Sequence, residues 1–296
     1  MKKATVFLAA TCGLLSISSA FAQTIIYDDN FANDSSLSTS YLNINNISGS
    51  TAEWAFTPNT QLELTTAASG KVDELVGQFS PQALSGAGQS VTFTASFNSP
   101  SLTTSGSSGS LLIALDNSRG TPLSPTPGPI GPTATTGATA SYIGYAGMLD
   151  LSSTPKTSTK IFAKTGTGSN DLAYVSDVVP EATLLSGTAG ANLNTADNFK
   201  AIFTVANIGG GQDQITSELY DVTASTVVDT YTTTTTTIPT STFDTFDIGV
   251  YTGSEASGYN INLTDLNITE SVPEPSTFAL AGVGLGLTLL ARFRRR

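Results

Sequence analysis

Ser90-Val91-Thr92-Phe93-Thr94-Ala95-Ser96-Phe97 sets Val91, Phe93, Ala95 and Phe97 at every second position, with Thr92, Thr94 and Ser96 between them. Successive side chains of a β-strand point to opposite faces, so this period of two describes a strand with one apolar and one hydroxyl face. Shorter runs of the same kind flank it. They are Tyr41 to Asn45, Glu53 to Thr57, Gln61 to Thr65, Ser110 to Asp116, Tyr142 to Leu149 and Lys160 to Lys164, then Phe199 to Ala206, Gln214 to Tyr220, Val227 to Tyr231, Phe243 to Tyr251 and Tyr259 to Ile268. No stretch of the body sustains a helical apolar period over about a dozen residues. Many short strands separated by turn clusters predict an all-β, antiparallel sandwich or jelly roll.

Three local features qualify this pattern. In the last run Tyr259, Ile261 and Leu263 share a face, but the apolar phase then slips to Leu266 and Ile268, which predicts a β-bulge near Thr264-Asp265. Residues Ser124 to Pro132 read SPTPGPIGP, and prolines without donors exclude a central strand there. Thr232 to Thr237 is an unbroken threonine run, read as strand with a wet outer face; the functional alternatives are a hydroxyl ladder or a glycosylated segment. Trp54, with Phe56 on the same face, is expected in the core.

The ends are of a different kind. Lys2 and Lys3 precede an apolar stretch from Ala4 to Ile17 and the small-residue run Ser18-Ser19-Ala20-Phe21-Ala22. That is the form of a secretory signal peptide helix, with Ala20 and Ala22 at the small positions and cleavage expected after Ala22. Cys12, the one cysteine, falls inside this stretch, so the mature protein forms no disulfide. At the other end Val272-Pro273-Glu274-Pro275-Ser276-Thr277 leads into an apolar run from Phe278 to Ala291 and then Arg292-Phe293-Arg294-Arg295-Arg296. As a helix that run spans about 21 Å at ~1.5 Å per residue, short of a ~30 Å hydrocarbon core. Arginine stems lengthen it, and the arginine cluster should stay cytoplasmic with the body on the far side.

Pro273-Glu274-Pro275, a short glycine-bearing apolar helix and a terminal arginine cluster, in that order, resemble the PEP-CTERM sorting domain of Gram-negative bacteria. The resemblance covers about the last 25 residues. It implies recognition of Pro273, Glu274 and Pro275 by an exosortase, with Arg294, Arg295 and Arg296 as the stop signal. It also implies use of the secretion machinery, a transient stay in the inner membrane, and delivery to the cell surface or an extracellular polysaccharide matrix. The expected organisation is a signal peptide over 1–22, one β-domain over 23–270, and a sorting tail over 271–296.

Charge and composition narrow the chemistry. Without the basic residues of the two ends, six basic residues remain against 23 acidic ones, a net of about −17. So acidic a body is repelled by nucleic acid and by anionic membrane surfaces. There is no histidine. With no cysteine in the mature chain, this excludes Ser-His-Asp and Cys-His nucleophile systems and ordinary zinc sites. Carboxylate, hydroxyl, lysine or oxygen-ligated metal chemistry remains.

Glycoside hydrolysis on a jelly roll needs two carboxylates facing one cleft. No E-x-D-x-E occurs, and in Asp28-Asp29, Asp73-Glu74 and Asp244 with Asp247 the partners point to opposite faces of a strand. No enzyme is therefore expected. No cofactor is expected either, except calcium, for which Asp28 near one terminus and Asp265 in the last strand are the first candidates, although no D-x-[DN]-x-[DN]-G loop is present.

Trp54-Ala55-Phe56, the run Gly88-Gln89-Ser90-Val91-Thr92-Phe93-Thr94, the segment Tyr142 to Leu149 and the closing pair Phe243 to Tyr251 and Asn260 to Ile268 are also similar to the concanavalin-A-like jelly roll of exported lectin-like and laminin-G-like proteins. The expected function is that of an exported surface or exopolysaccharide-matrix protein whose sandwich is structural or binds carbohydrate weakly. The rivals are a carboxylate-dependent glycan hydrolase or lyase, and a calcium-stabilised adhesin.

Overall fold

The computed structural model describes residues 21–31, 41–45, 54–57, 61–65, 71–101, 109–121, 141–151, 160–164, 178–182, 196–236, 240–252 and 260–273. The chain divides into two compact units, Gln23–Val272 and the paired ends Met1–Ala22 with Pro273–Arg296. Almost all of the second unit lies outside the described residues, including the expected signal and membrane helices, Ala20, Glu274, Pro275 and Arg294 to Arg296. The expected loop over 124–132 lies outside them too.

Gln23–Val272 is a two-sheet sandwich in which the registered pairs are antiparallel. The decisive run becomes β6 (Ser90–Ser101), fourth from either end of the strand order of an eight-stranded sheet. Its order is β13 (Thr226–Thr235), β12 (Gln212–Asp221), β11 (Asn198–Gly209), β6, β15 (Asn260–Pro273), β4 (Gln61–Thr65) and β3 (Trp54–Thr57), with β1 (Phe21–Asp29) also pairing with β15. Against it stands a seven-stranded sheet. Its order is β10 (Val178–Ala182), β9 (Lys160–Lys164), β8 (Ile143–Asp150), β7 (Gly109–Asn117), β14 (Thr242–Thr252), β5 (Lys71–Ala83) and β2 (Tyr41–Asn45).

The two sheets are built from different patterns. In β11 and β12 every second residue is buried, so one face meets the core and the other meets solvent. In β7 and β9 consecutive residues are buried, Leu111 to Asp116 and Ile161 to Lys164, so the seven-stranded sheet is covered on both faces. Between the sheets lies one apolar cluster in which Phe93, Phe97, Phe199 and Phe203 meet Leu75, Leu111, Ile113, Leu115, Phe246 and Ile248. Close approach is made at Gly147 of β8, where a Cβ would lie 2.6 Å from Ser217 Oγ and 3.0 Å from the Phe203 ring. A buried polar tie crosses the sandwich where the Tyr145 hydroxyl donates to Asp213 Oδ2 at 3.1 Å.

The predicted bulge is present. The β15–β6 register shifts between Leu263 and Asp265, leaving Thr264 over, and its hydroxyl donates to the Ser96 carbonyl at 3.2 Å. The threonine run is strand as far as Thr235, with outward residues exposed. Trp54 lies on β3 opposite Leu64; its side chain is outside the described residues.

Three strands, β1, β5 and β10, have no counterpart in the sequence reading. Within β5, Asp73, Glu74, Gly77 and Pro81 interrupt the alternation that would have marked it. The strands also overrun the expected domain limits. β1 begins at Phe21, two residues before the expected mature start, and β15 stays paired with β6 through Ser271, past the expected limit of 270. Backbone pairing continues for as long as a partner strand is present, whereas motif limits follow residue type.

Candidate functional site

The sorting motif begins where the last strand ends. Glu270 and Ser271 are opposite Val91 and Ser90, and Pro273 closes β15, where a residue without an N–H ends a ladder at no cost. Beside this end lies β1, whose Gln23 donates through Nε2 to Thr269 Oγ1 at 3.0 Å. Ala22, the expected last residue of the signal, is exposed on the same strand.

β1 and β15 also bring together the two calcium candidates. Asn267 Nδ2 donates to Asp28 Oδ1 at 3.1 Å. Burial first, then the charge of Asp28, holds the Asp265 carboxyl above its ordinary range, with Lys200 opposing. The neighbouring Asp29 is already engaged, accepting from the Phe31 N–H at 2.9 Å and from the Tyr41 hydroxyl, which also bonds Tyr27. Among the described residues no three acidic, histidine or cysteine side chains form a group able to hold a metal ion.

A second acidic group was invisible along the sequence. On the face of the seven-stranded sheet turned away from the main core, Glu74 of β5, Asp247 of β14 and Asp116 of β7 gather from three adjacent strands, 2 %, 3 % and 0 % exposed. Among the described residues neither oxygen of Asp116 has a hydrogen-bond partner. Burial, then the charges of Glu74 and Asp116, raise Asp247 well above the carboxylate range. Burial pushes Asp116 up to about 7, against the lowering charge of Lys164 and with Asp244 adding to the rise. Asp244 itself leaves this face, because a bulge between Phe243 and Thr245 turns it toward Ser118, whose N–H and hydroxyl it accepts at 2.7 Å each.

Gly144 of β8 sits directly between Asp116 and Lys164 in the ladder and gives them room. A Cβ there would strike the Leu115 carbonyl and the Asp116 carboxylate, and would lie 2.7 Å from Asp116 Cα. Gly144→Ala is therefore expected to destabilise the body by about 1–3 kcal/mol through overpacking, read as a lower urea midpoint. An unchanged midpoint would show that Asp116 does not pack there. Chemically the trio can hold a proton in a dry place. All three side chains are buried, so a substrate does not reach them in this conformation.

Residues 271–296 match the PEP-CTERM protein-sorting motif. None of the curated proteins matches the chain. Among solved structures, lectin II from Ulex europaeus is similar at 9 % identity and a TM-score of 0.45, over 83 % of this chain and 99 % of that one. The carbohydrate recognition domain of Emp46p, in its metal-free form, is similar at 12 % identity and a TM-score of 0.47, over 81 % and 94 %. Winged bean acidic lectin complexed with methyl-α-D-galactose is similar at 13 % identity and a TM-score of 0.45, over 85 % and 99 %. The jelly-roll layout itself rests on the two sheets and their registers.

The tail defines the class: this is an exported protein processed at the membrane. The particular signal is the PEP-CTERM motif, which makes the chain a substrate of an exosortase.

Proposed function

We propose that the chain is a surface or matrix protein of a Gram-negative bacterium. Its signal peptide over 1–22 starts export, its tail holds it in the inner membrane, and the released sandwich is a non-catalytic module that contacts matrix polysaccharide. The observation that carries this reading is the sorting motif over 271–296, set directly after the last strand of a folded β-body. An acidic body without histidine fits a solvated extracellular role better than chemistry on a substrate. The buried trio of Glu74, Asp116 and Asp247 favours no catalytic reading, because an acid must touch what it protonates.

The test uses full-length chain carrying one epitope in the body and another after Arg296, followed by cell fractionation. The body epitope is expected in the extracellular polysaccharide fraction without the tail epitope, and a Pro273→Ala, Glu274→Ala double variant is expected to stay in the inner membrane with both. Recovery of the unaltered chain from the cytosol with both epitopes would end the reading.

A further inference from the structure

The eight-stranded sheet carries a feature that only register reveals. Thr232 of β13 is opposite Thr216 of β12, which is opposite Thr204 of β11, which is opposite Thr92 of β6, which is opposite Thr269 of β15. Directly opposed residues share a face, so five threonines form one line across five strands. They alternate with the core residues of each strand, which puts the line on the solvent side; Thr232 is exposed and the other four are half-buried. At ~4.8 Å per strand the line is about 19 Å long.

Its hydroxyls are already ordered. Thr92 and Thr204 Oγ1 lie 2.9 Å apart, Thr216 and Thr232 Oγ1 lie 3.0 Å apart, and Gln23 Nε2 of β1 extends the line by its bond to Thr269. In each threonine pair one hydroxyl donates to the other, leaving the acceptor's proton and several lone pairs for a ligand. β-Branched threonine side chains are also stiff about χ1, so little rotamer freedom is lost on binding.

Charge selects the occupant. The line holds no ionised group, and the flanking rows add only acidic ones, Glu218 and, at the β1 end through its bond from Asn267, Asp28, on a chain whose net charge is −11. A polyanion finds no cation there and meets a repulsive body. Twist selects further. Neighbouring strands rotate by roughly 20–25°, so a rigid crystalline plane such as ice cannot touch all five threonines at once, whereas a single extended chain turns with them. A sugar repeat close to the strand spacing offers one ring per threonine. A second copy of this chain would find little apolar area to bury on such a face.

From this geometry we propose that the threonine line Thr232–Thr216–Thr204–Thr92–Thr269, with Gln23 at its end, is a docking track for one extended chain of a neutral polysaccharide. The inference rests on the polysaccharide-contacting reading given above and assigns it to a face.

Affinity electrophoresis of the full-length chain tests it, with soluble mixed-linkage β-glucan as neutral probe and alginate as polyanion. β-Glucan should retard the unaltered chain and alginate should not. The triple variant Thr92→Val, Thr204→Val, Thr216→Val keeps shape and strand preference but removes three hydroxyls, and should weaken retardation about tenfold or more. The corresponding triple serine variant keeps the hydroxyls and should restore it, while matching thermal melts show all three proteins to be folded.

Equal retardation of the valine variant would overturn the track and leave polysaccharide contact standing. Retardation by alginate alone would do the same. Retardation by neither glycan would overturn both. A dimer seen by sedimentation that dissociates in the valine variant would give the face to a second copy and overturn the track.

Discussion

Replacing Phe246 by alanine is expected to lower the unfolding free energy of the body by about 3–5 kcal/mol. Its ring is the hub of the aromatic core, with centroids 4.9 Å from Phe93, 5.2 Å from Tyr27, 6.2 Å from Tyr41 and 6.5 Å from Phe79. Phe93 belongs to the other sheet, and Tyr27 to the strand that pairs with β15, so this one side chain joins both layers to the N-terminal strand. The site cannot collapse readily, because the backbone on either side is held in ladders with β5 and β7. Gly77, directly opposite Phe246, is the space the ring occupies, and a Cβ there would lie 2.6 Å from its Cε1. Gly77→Ala should therefore move the urea midpoint in the same direction, by overpacking where Phe246→Ala leaves a void. A loss under about 1 kcal/mol for Phe246→Ala would mean that the two sheets are joined elsewhere.

Acid should stabilise this protein over a range in which neutral pH does not. Asp116 titrates near 7 when folded, against ~3.9 in an unfolded chain. Between those values the folded state holds a proton that the unfolded state has released, so stability falls as pH rises through the window and levels off above it. Three pH units at ~1.36 kcal/mol each make this about 4 kcal/mol for Asp116. The raised Asp247 acts with the same sign.

Growing self-repulsion of an acidic body has the same direction, so the slope alone does not identify the group. The variant does. Asp116→Asn removes the titration and should melt higher than the unaltered chain at pH 8, with the two curves converging near pH 4. The charged groups facing Asp116 are Lys164 on β9, Asp244 and Asp247 on β14, the last beside Glu74 on β5. If melting temperatures of the unaltered chain rise from pH 4.5 to 7.5, the trio is not buried in the manner described.

How far each feature could be read in advance depends on the distance over which its cause acts. β6 and β15 were legible, bulge included, because alternation and its slip at Thr264 are written within a few neighbouring residues. β5 was not, since Gly77 breaks its alternation for the sake of a ring on β14. The cluster of Glu74, Asp116 and Asp247 was missed for the same reason. Adjacent carboxylates along a single strand diverge, whereas these three meet across strands. The one available signal was the continuous apolar run of β7 ending in Asp116, an acid in a strand with no wet face. Asp28 and Asp265, the calcium candidates, lie near enough across β1 and β15 for the charge of Asp28 to raise Asp265, and among the described residues no group of three able to hold a metal ion forms.

The order of residues by itself determined the all-β class, the outline of most strands and the sorting tail. Each is encoded locally, as a period of two or as a contiguous motif with its own hydrophobicity and charge. Only the tertiary structure decided which strands lie side by side. Register turned scattered threonines into a line and scattered acids into a buried trio, because hydrogen-bonded ladders align residues more than a hundred positions apart in sequence, as Thr92 and Thr204 are.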